Sequence, residues 1–158
     1  MSNHQFQFLF CDFNNSTHAA ALVQLINAYK QDPMGGSVPF SDEEGQILIK
    51  GLASHSSCFV LFGLCDNVFA AMATCFVNYS TFQLAPYINI HDLIVLDTYR
   101  GKGLGKAMLQ KLFQIASERG YCKVNLEVRE DNSRAKTLYA GLGFAECEPP
   151  MHFWERLV

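Results

Sequence analysis

Charge is scarce in this chain. Only 17% of its 158 residues are charged, and the net charge of −3 leaves no basic surplus that would hold nucleic acid by bulk electrostatics. No apolar run reaches the roughly 18 residues that a membrane-crossing helix needs. The opening Met-Ser-Asn-His-Gln-Phe-Gln-Phe has neither a charged first region nor a long apolar one, so no signal peptide is expected. Six cysteines are present (Cys11, Cys58, Cys65, Cys75, Cys122 and Cys147), but no pair has Cys-x-x-Cys spacing and no His-x-x-x-His accompanies them. Most lie inside apolar, strand-like runs. The expectation is buried free thiols in a reducing cytoplasm, with a zinc site or a disulfide framework as the alternative. Internal repeats, low-complexity tracts and linker-like stretches are also missing, and the length suits one domain covering residues 1–158.

What is there is hydrophobic: 49% of the chain, enough for a sizeable core. Gln5 to Cys11 alternates as a strand does. Ser16 or Thr17 is placed to cap a helix running to about Gln31, which Asp32-Pro33 ends. Ser41-Asp42-Glu43-Glu44 has capping-box spacing and predicts a second helix to about His55, weakened by Gly45 and Gly51. Cys58 to Leu64 and Val68 to Tyr79 read as an antiparallel hairpin turning at Asp66-Asn67. Tyr87 to Leu96 is a further strand. Met108, Leu112 and Ile115 fall at helical spacing after Leu104, with Gly120 as the stop. Tyr121 to Arg129 reads as a strand, and Asn132 caps a short helix through Leu142. Phe144 to Cys147 and Met151 to Leu157 are expected as two closing strands. The order β-α-α-β-β-β-α-β-α-β-β predicts one α/β domain with a mixed sheet.

The chemistry concentrates in Arg100-Gly101-Lys102-Gly103-Leu104-Gly105-Lys106, between a strand and a helix. Glycines there let a ligand approach the backbone, and the first N–H groups of the helix, lacking internal partners, favour an anion. Arg100, Lys102 and Lys106 add positive charge, so a phosphate or pyrophosphate is the natural guest. The segment fits neither the Walker A pattern nor the dinucleotide pattern, whose third glycine falls on Lys106. Taken alone, it could also be merely a tight connection.

It does not stand alone. Asp92-Leu93-Ile94-Val95 leads into it, and Leu126-Glu127-Val128-Arg129 follows. Asn132-Ser133-Arg134-Ala135-Lys136-Thr137-Leu138-Tyr139 comes next, closing with Gly141-Leu142-Gly143-Phe144. This set resembles the GNAT superfamily of acyl-CoA-dependent N-acyltransferases. Arg100, Gly103 and Gly105 match its Arg/Gln-x-x-Gly-x-Gly/Ala motif, and Asn132, Ala135 and Tyr139 match its Asn-x-x-Ala-x-x-x-Tyr stretch. The resemblance is firm from about Ile90 to Phe144 and loose before that.

The resemblance implies a GNAT-like domain whose mostly antiparallel sheet is splayed at its centre and flanked by helices. It implies acetyl-CoA as co-substrate and no metal. The pyrophosphate is assigned to Arg100, Gly101, Lys102, Gly103, Leu104, Gly105 and Lys106. The pantetheine arm is assigned to Leu93, Ile94 and Val95, with Asn132 beside it. Tyr139 becomes the general acid for the leaving thiolate. The pKa values agree: a thiol near 8.5 takes a proton from a tyrosine near 10 at little cost. An amine with a pKa of about 10.4 is only about one part in a thousand neutral at pH 7.4, a handicap of roughly 4 kcal/mol, so something must accept its proton. Glu127, Asp92 and His91 are the candidates. Adjacent strand residues face opposite sides, so at most one of His91 and Asp92 is expected to face the amine. No protein nucleophile is needed.

The acceptor is less defined. Tyr79-Ser80-Thr81-Phe82 followed by Asn89-Ile90-His91-Asp92-Leu93 loosely resembles the polyamine and thialysine acetyltransferases, but His91 stands where those relatives carry the first acid of a pair. The expectation is a small amine or amino acid held by His91, Asp92 and Tyr79. A protein N-terminal or ribosomal-protein acetyltransferase is a second reading, and a non-catalytic CoA-binding regulatory domain a third. No nucleic-acid or membrane partner is expected, and the family suggests a homodimer, here through Phe153, Trp154 and Leu157 on the closing hairpin.

Overall fold

The computed structural model describes residues 5–158, which fall into two compact units meeting in sequence at Glu127 and Val128. The first unit contains β1 (Phe6–Phe10), α1 (Ser16–Gln31), α2 (Asp42–Ser54), β2 (Cys58–Cys65), β3 (Val68–Ser80) and β4 (Ala85–Val95). A single 3-10 turn (Asp97–Tyr99), α3 (Leu104–Glu118) and β5 (Val124–Leu126) complete it. The strands form one sheet in chain order, antiparallel from β1 to β4 and parallel between β4 and β5. The expected α/β class and mixed, mostly antiparallel sheet are what the chain adopts.

Local chemistry explains the elements. Asn15, not Ser16 or Thr17, caps α1, its Oδ1 accepting from the amides of Thr17 and His18 at 2.9 and 3.2 Å. The capping box of α2 forms in both directions: Ser41 Oγ accepts from the Glu44 amide at 3.2 Å, and the Ser41 amide donates to Glu44 Oε2 at 2.8 Å. Gly45 survives inside α2 because a Cβ there would lie 3.1 Å from Val23 of α1. Asp66 and Asn67 both adopt positive φ, the conformation of a two-residue hairpin turn whose twist matches its strands.

The sheet is covered on both faces. Leu22, Leu25 and Ile26 of α1 and Ile49 of α2 bury against Val60, Phe62, Met72 and Ile94. The opposite face takes α3, whose Leu104, Met108, Leu109, Leu112, Ile115 and Ala116 form its buried stripe. Contact there is close: a Cβ on Gly63 would lie 2.7 Å from Met108 Sδ and 3.2 Å from Leu104 Cδ1. Strand glycines of this kind mark close approach.

The second unit, Val128–Val158, holds α4 (Ser133–Ala140). The two closing strands expected after it are not formed. Residues 144–158 carry no strand, and Met151, Phe153, Trp154 and Leu157 are exposed. Pro149 and Pro150 interrupt that segment, and neither has an amide to give to a ladder.

Candidate active site

The site begins with one extra residue in β4. Thr74 of β3 pairs with Asp92 and Cys75 pairs with Ile90, so His91 has no cross-strand partner and forms a β-bulge. Two consequences follow, one for the backbone and one for the side chains.

Before the bulge, the Ile88 amide donates toward β5, to the Lys123 carbonyl at 3.1 Å. After it, the Leu96 amide donates toward β3, to the Ala70 carbonyl at 2.9 Å. Backbone groups alternate along a strand, so Asp92 and Ile94 also turn to β3, while Leu93 and Val95 turn to the other side. β5 is not there to meet them. Its pairing with β4 ends at Ile90 and Leu126, whereas β4 runs on to Val95. This is the splay, lying between β4 and β5, and it leaves Leu93 and Val95 with outward backbone groups. Ile94 instead gives its side chain to the core.

The bulge also puts His91 and Asp92 on one face, against the expectation that neighbours point to opposite sides. The His91 ring stands edge-on to Phe76 at 5.6 Å, and Asp92 lies opposite Thr74, while Thr74 and Phe76 share a face of β3. His55, at the end of α2, approaches the same Phe76 ring at 5.1 Å. His91 is exposed and Asp92 half-buried. Burial raises the Asp92 carboxyl above the usual range, with the nearby His91 charge and the Thr74 hydroxyl pulling the other way. Thr74 Oγ1 is buried and makes no hydrogen bond of full geometry.

Arg100-Gly101-Lys102-Gly103 forms the turn into α3. Gly101 and Gly103 have φ of 76° and 88°, a region costly for other residues, and a Cβ on either would meet nothing within 4 Å. Gly103 caps α3 without a side chain, and its carbonyl takes the first helical bond, from Ala107 at 3.0 Å. The amides of Leu104, Gly105 and Lys106 are therefore left without helical acceptors, as an anion site requires. Leu104 buries its side chain, so only its backbone is offered. Lys102 Nζ sits 4.8 Å from the Tyr99 ring centre. The Arg100 guanidinium turns to Asp32 Oδ2 at 2.6 Å, the Val95 carbonyl at 3.0 Å and Asp97 Oδ1 at 3.3 Å.

Other expected residues are placed differently. Glu127 lies one residue beyond β5, exposed, not within a strand reaching Arg129. The strand stops where its pairing with β4 ends, at Ile90 and Leu126, one residue before the bulge. Tyr79 is 60% exposed and lies five residues along β3 from Thr74, about 17 Å at strand rise, so the structure does not bring it beside His91 and Asp92. In the second unit, Asn132 Oδ1 caps α4 by accepting from the Ala135 amide at 3.1 Å. The half-buried Tyr139 ring stands 5.6 Å from Phe144.

Thr74, Phe76 and His55 escaped the sequence reading. The one available signal was Thr74, a lone hydroxyl in the buried run Ala70 to Cys75. All six cysteines are free. Among the described residues no three His, Cys, Asp or Glu side chains form a group fit for a metal, and no helix is long and apolar enough to cross a membrane.

The model of the acetyltransferase (GNAT) family matches residues 20–144. The chain belongs to this family. GNAT enzymes are N-acetyltransferases that use acetyl-CoA as co-substrate. Streptothricin acetyltransferase of Streptomyces lavendulae is 32% identical over 123 residues, covering 78% of this chain and 58% of that protein. Bovine (Bos taurus) thialysine N-epsilon-acetyltransferase is 34% identical over 68 residues, 43% of this chain and 39% of that protein. The chain thus matches less than two thirds of either relative's length. Among solved structures, an aminoglycoside acetyltransferase from an uncultured soil metagenomic sample, in complex with sisomicin, superposes with a TM-score of 0.77. It is 20% identical and is covered, like this chain, over 97% of its length, so the likeness is one of GNAT fold.

Proposed function

We propose that this GNAT protein transfers the acetyl group of acetyl-CoA to a primary amine of a small molecule or amino acid by direct attack. The bulge at His91 carries the reading. It turns the backbone of Leu93 and Val95 to the unpaired side of β4, on the strand that leads into the left-handed glycine turn and the three open amides of α3. An extended pantetheine arm pairs with such an edge, and a pyrophosphate fits such amides. The relatives named for streptothricin and thialysine support a small-molecule acceptor.

In this account the neutral amine attacks the thioester carbonyl, and the outward Leu93 and Val95 amides stabilise the oxyanion. The tetrahedral intermediate collapses and expels the CoA thiolate. Tyr139, by its motif position, gives that thiolate its proton. Asp92 meets the incoming ammonium, and the amine's proton leaves through Asp92, His91, Glu127 or water. Because the family match spans parts of both units, the whole chain is read as one acetyltransferase domain, placed in the cytoplasm on the strength of its six thiols. The exposed Phe153, Trp154 and Leu157 support a homodimer, which light scattering tests.

The test is a panel of small amines, amino acids and peptides with acetyl-CoA, read by CoA release and product mass. Acetylation of small amines over peptides supports the proposal. Preference for peptide α-amines, or CoA binding without turnover, overturns it.

A further inference from the structure

Every neighbour of Thr74 in the buried run Ala70 to Cys75 is alanine, methionine or cysteine, so packing alone gives no reason for a hydroxyl there. A valine has the same shape. Yet Thr74 is 2% exposed, and its Oγ1 is buried with no hydrogen-bond partner among the described residues. Buried hydroxyls without partners are disfavoured and call for an explanation.

The explanation lies across the strand pair. Thr74 and Asp92 are directly opposite, and Cβ atoms of such pairs lie about 4.5–5.5 Å apart, so the hydroxyl is within reach of the carboxylate, whose charged form it favours. Asp92, for its part, has no ion pair among the described residues. The bulge fixes this juxtaposition, because it turns Asp92 onto the Thr74 face immediately before the open edge of β4.

We infer that Thr74 is a positioning residue whose hydroxyl orients the Asp92 carboxylate and keeps it anionic for the acceptor's ammonium group. The functional half rests on reading Asp92 as the group that meets the amine. The surrounding titratable groups set the balance. On β4, His91 favours the carboxylate. Cys58 of β2 and Cys75 of β3 both feel the Asp92 charge, and Cys11, one residue past β1, lies near Cys58. From the helices, His55 reaches Phe76, and His18 of α1 stands edge-on to Phe62 and Phe69. Tyr29 of α1 packs on the same core. None of these donates a hydrogen bond to Asp92, so the Thr74 hydroxyl is the donor placed to offset burial.

The test uses the full chain with Thr74→Val, Thr74→Ala and Thr74→Ser. The Asp92 carboxyl is titrated by 13C NMR, its signal assigned by loss in Asp92→Asn. The valine and alanine variants should raise the Asp92 midpoint by about one unit, and serine should leave it in place. With an acceptor in hand, the acidic limb of kcat/KM should move upward by the same amount. Unchanged midpoints in folded valine and alanine variants overturn the inference. A shifted midpoint alongside a wild-type amine KM and kcat in Asp92→Asn overturns the functional half and, with it, the proposed role of Asp92.

Discussion

The guanidinium of Arg100 reaches Asp32 Oδ2 at 2.6 Å, joining the end of α1 to the turn that opens α3. Asp32 also orders its own loop: its Oδ1 accepts from the Met34 amide at 2.9 Å and its carbonyl from the Gly35 and Gly36 amides, each at 2.8 Å. The first motif residue therefore works through its side chain as a brace, and its own amide is also taken, donating to the Asp97 carbonyl at 3.1 Å.

Arg100→Ala should accordingly cost stability more than CoA affinity. The pair is partly buried, so its loss is expected to cost about 1–3 kcal/mol. For a chain of this length each kcal/mol lowers Tm by roughly 2–4 °C. Differential scanning calorimetry and a CoA titration on the same sample separate the two. A large loss of CoA affinity with an unchanged Tm contradicts the brace.

Gly103→Val should block the pyrophosphate. In the free protein its Cβ meets nothing, so the folding cost is confined to the left-handed backbone, on the order of 1–2 kcal/mol. The side chain is expected to crowd a pyrophosphate approaching the α3 amides. A calorimetric CoA titration of the folded variant should show affinity reduced at least tenfold.

Asp92→Asn should make the protein more stable at neutral pH. Burial raises the folded-state carboxyl above its unfolded value, so the penalty on the folded state grows as pH rises from the unfolded midpoint and is complete above the folded one. Below both midpoints the group is protonated in either state and the penalty vanishes. The Tm gain of Asp92→Asn should therefore be present at pH 7.5 and shrink as pH falls into the acidic range. The same variant should raise KM for the amine and leave that for acetyl-CoA unchanged.

The fold was largely legible because its cues are local. A capping box at Ser41 and Glu44, a two-residue turn at Asp66-Asn67 and the helical spacing of Met108, Leu112 and Ile115 each announce an element. The bulge at His91 was not legible, since it exists only in the register between β3 and β4. Missing it led to the expectation that His91 and Asp92 face opposite sides, and it hid Thr74 as the partner of Asp92. Glu127 was read as a strand residue because periodicity cannot show where a parallel partner diverges. The closing strands are suggested by apolar content alone, and Pro149 and Pro150 break the ladder that content would otherwise support.

Tyr139→Phe keeps the ring packed on Phe144 and removes the proton proposed for the thiolate. With chemistry rate-limiting, kcat should fall about 10²–10⁴-fold while acetyl-CoA binding is nearly intact. A wild-type kcat would make the tyrosine a packing residue and leave proton delivery to water.

The central claim, direct transfer from acetyl-CoA to an amine, is tested most directly by initial velocities over a grid of acetyl-CoA and acceptor concentrations, with the acetylated product confirmed by mass. Direct attack needs both substrates bound together, so the reciprocal plots should intersect, and the protein incubated with acetyl-CoA alone should carry no acetyl group. Parallel plots with an acetylated protein intermediate, the mark of a covalent route, would contradict the account.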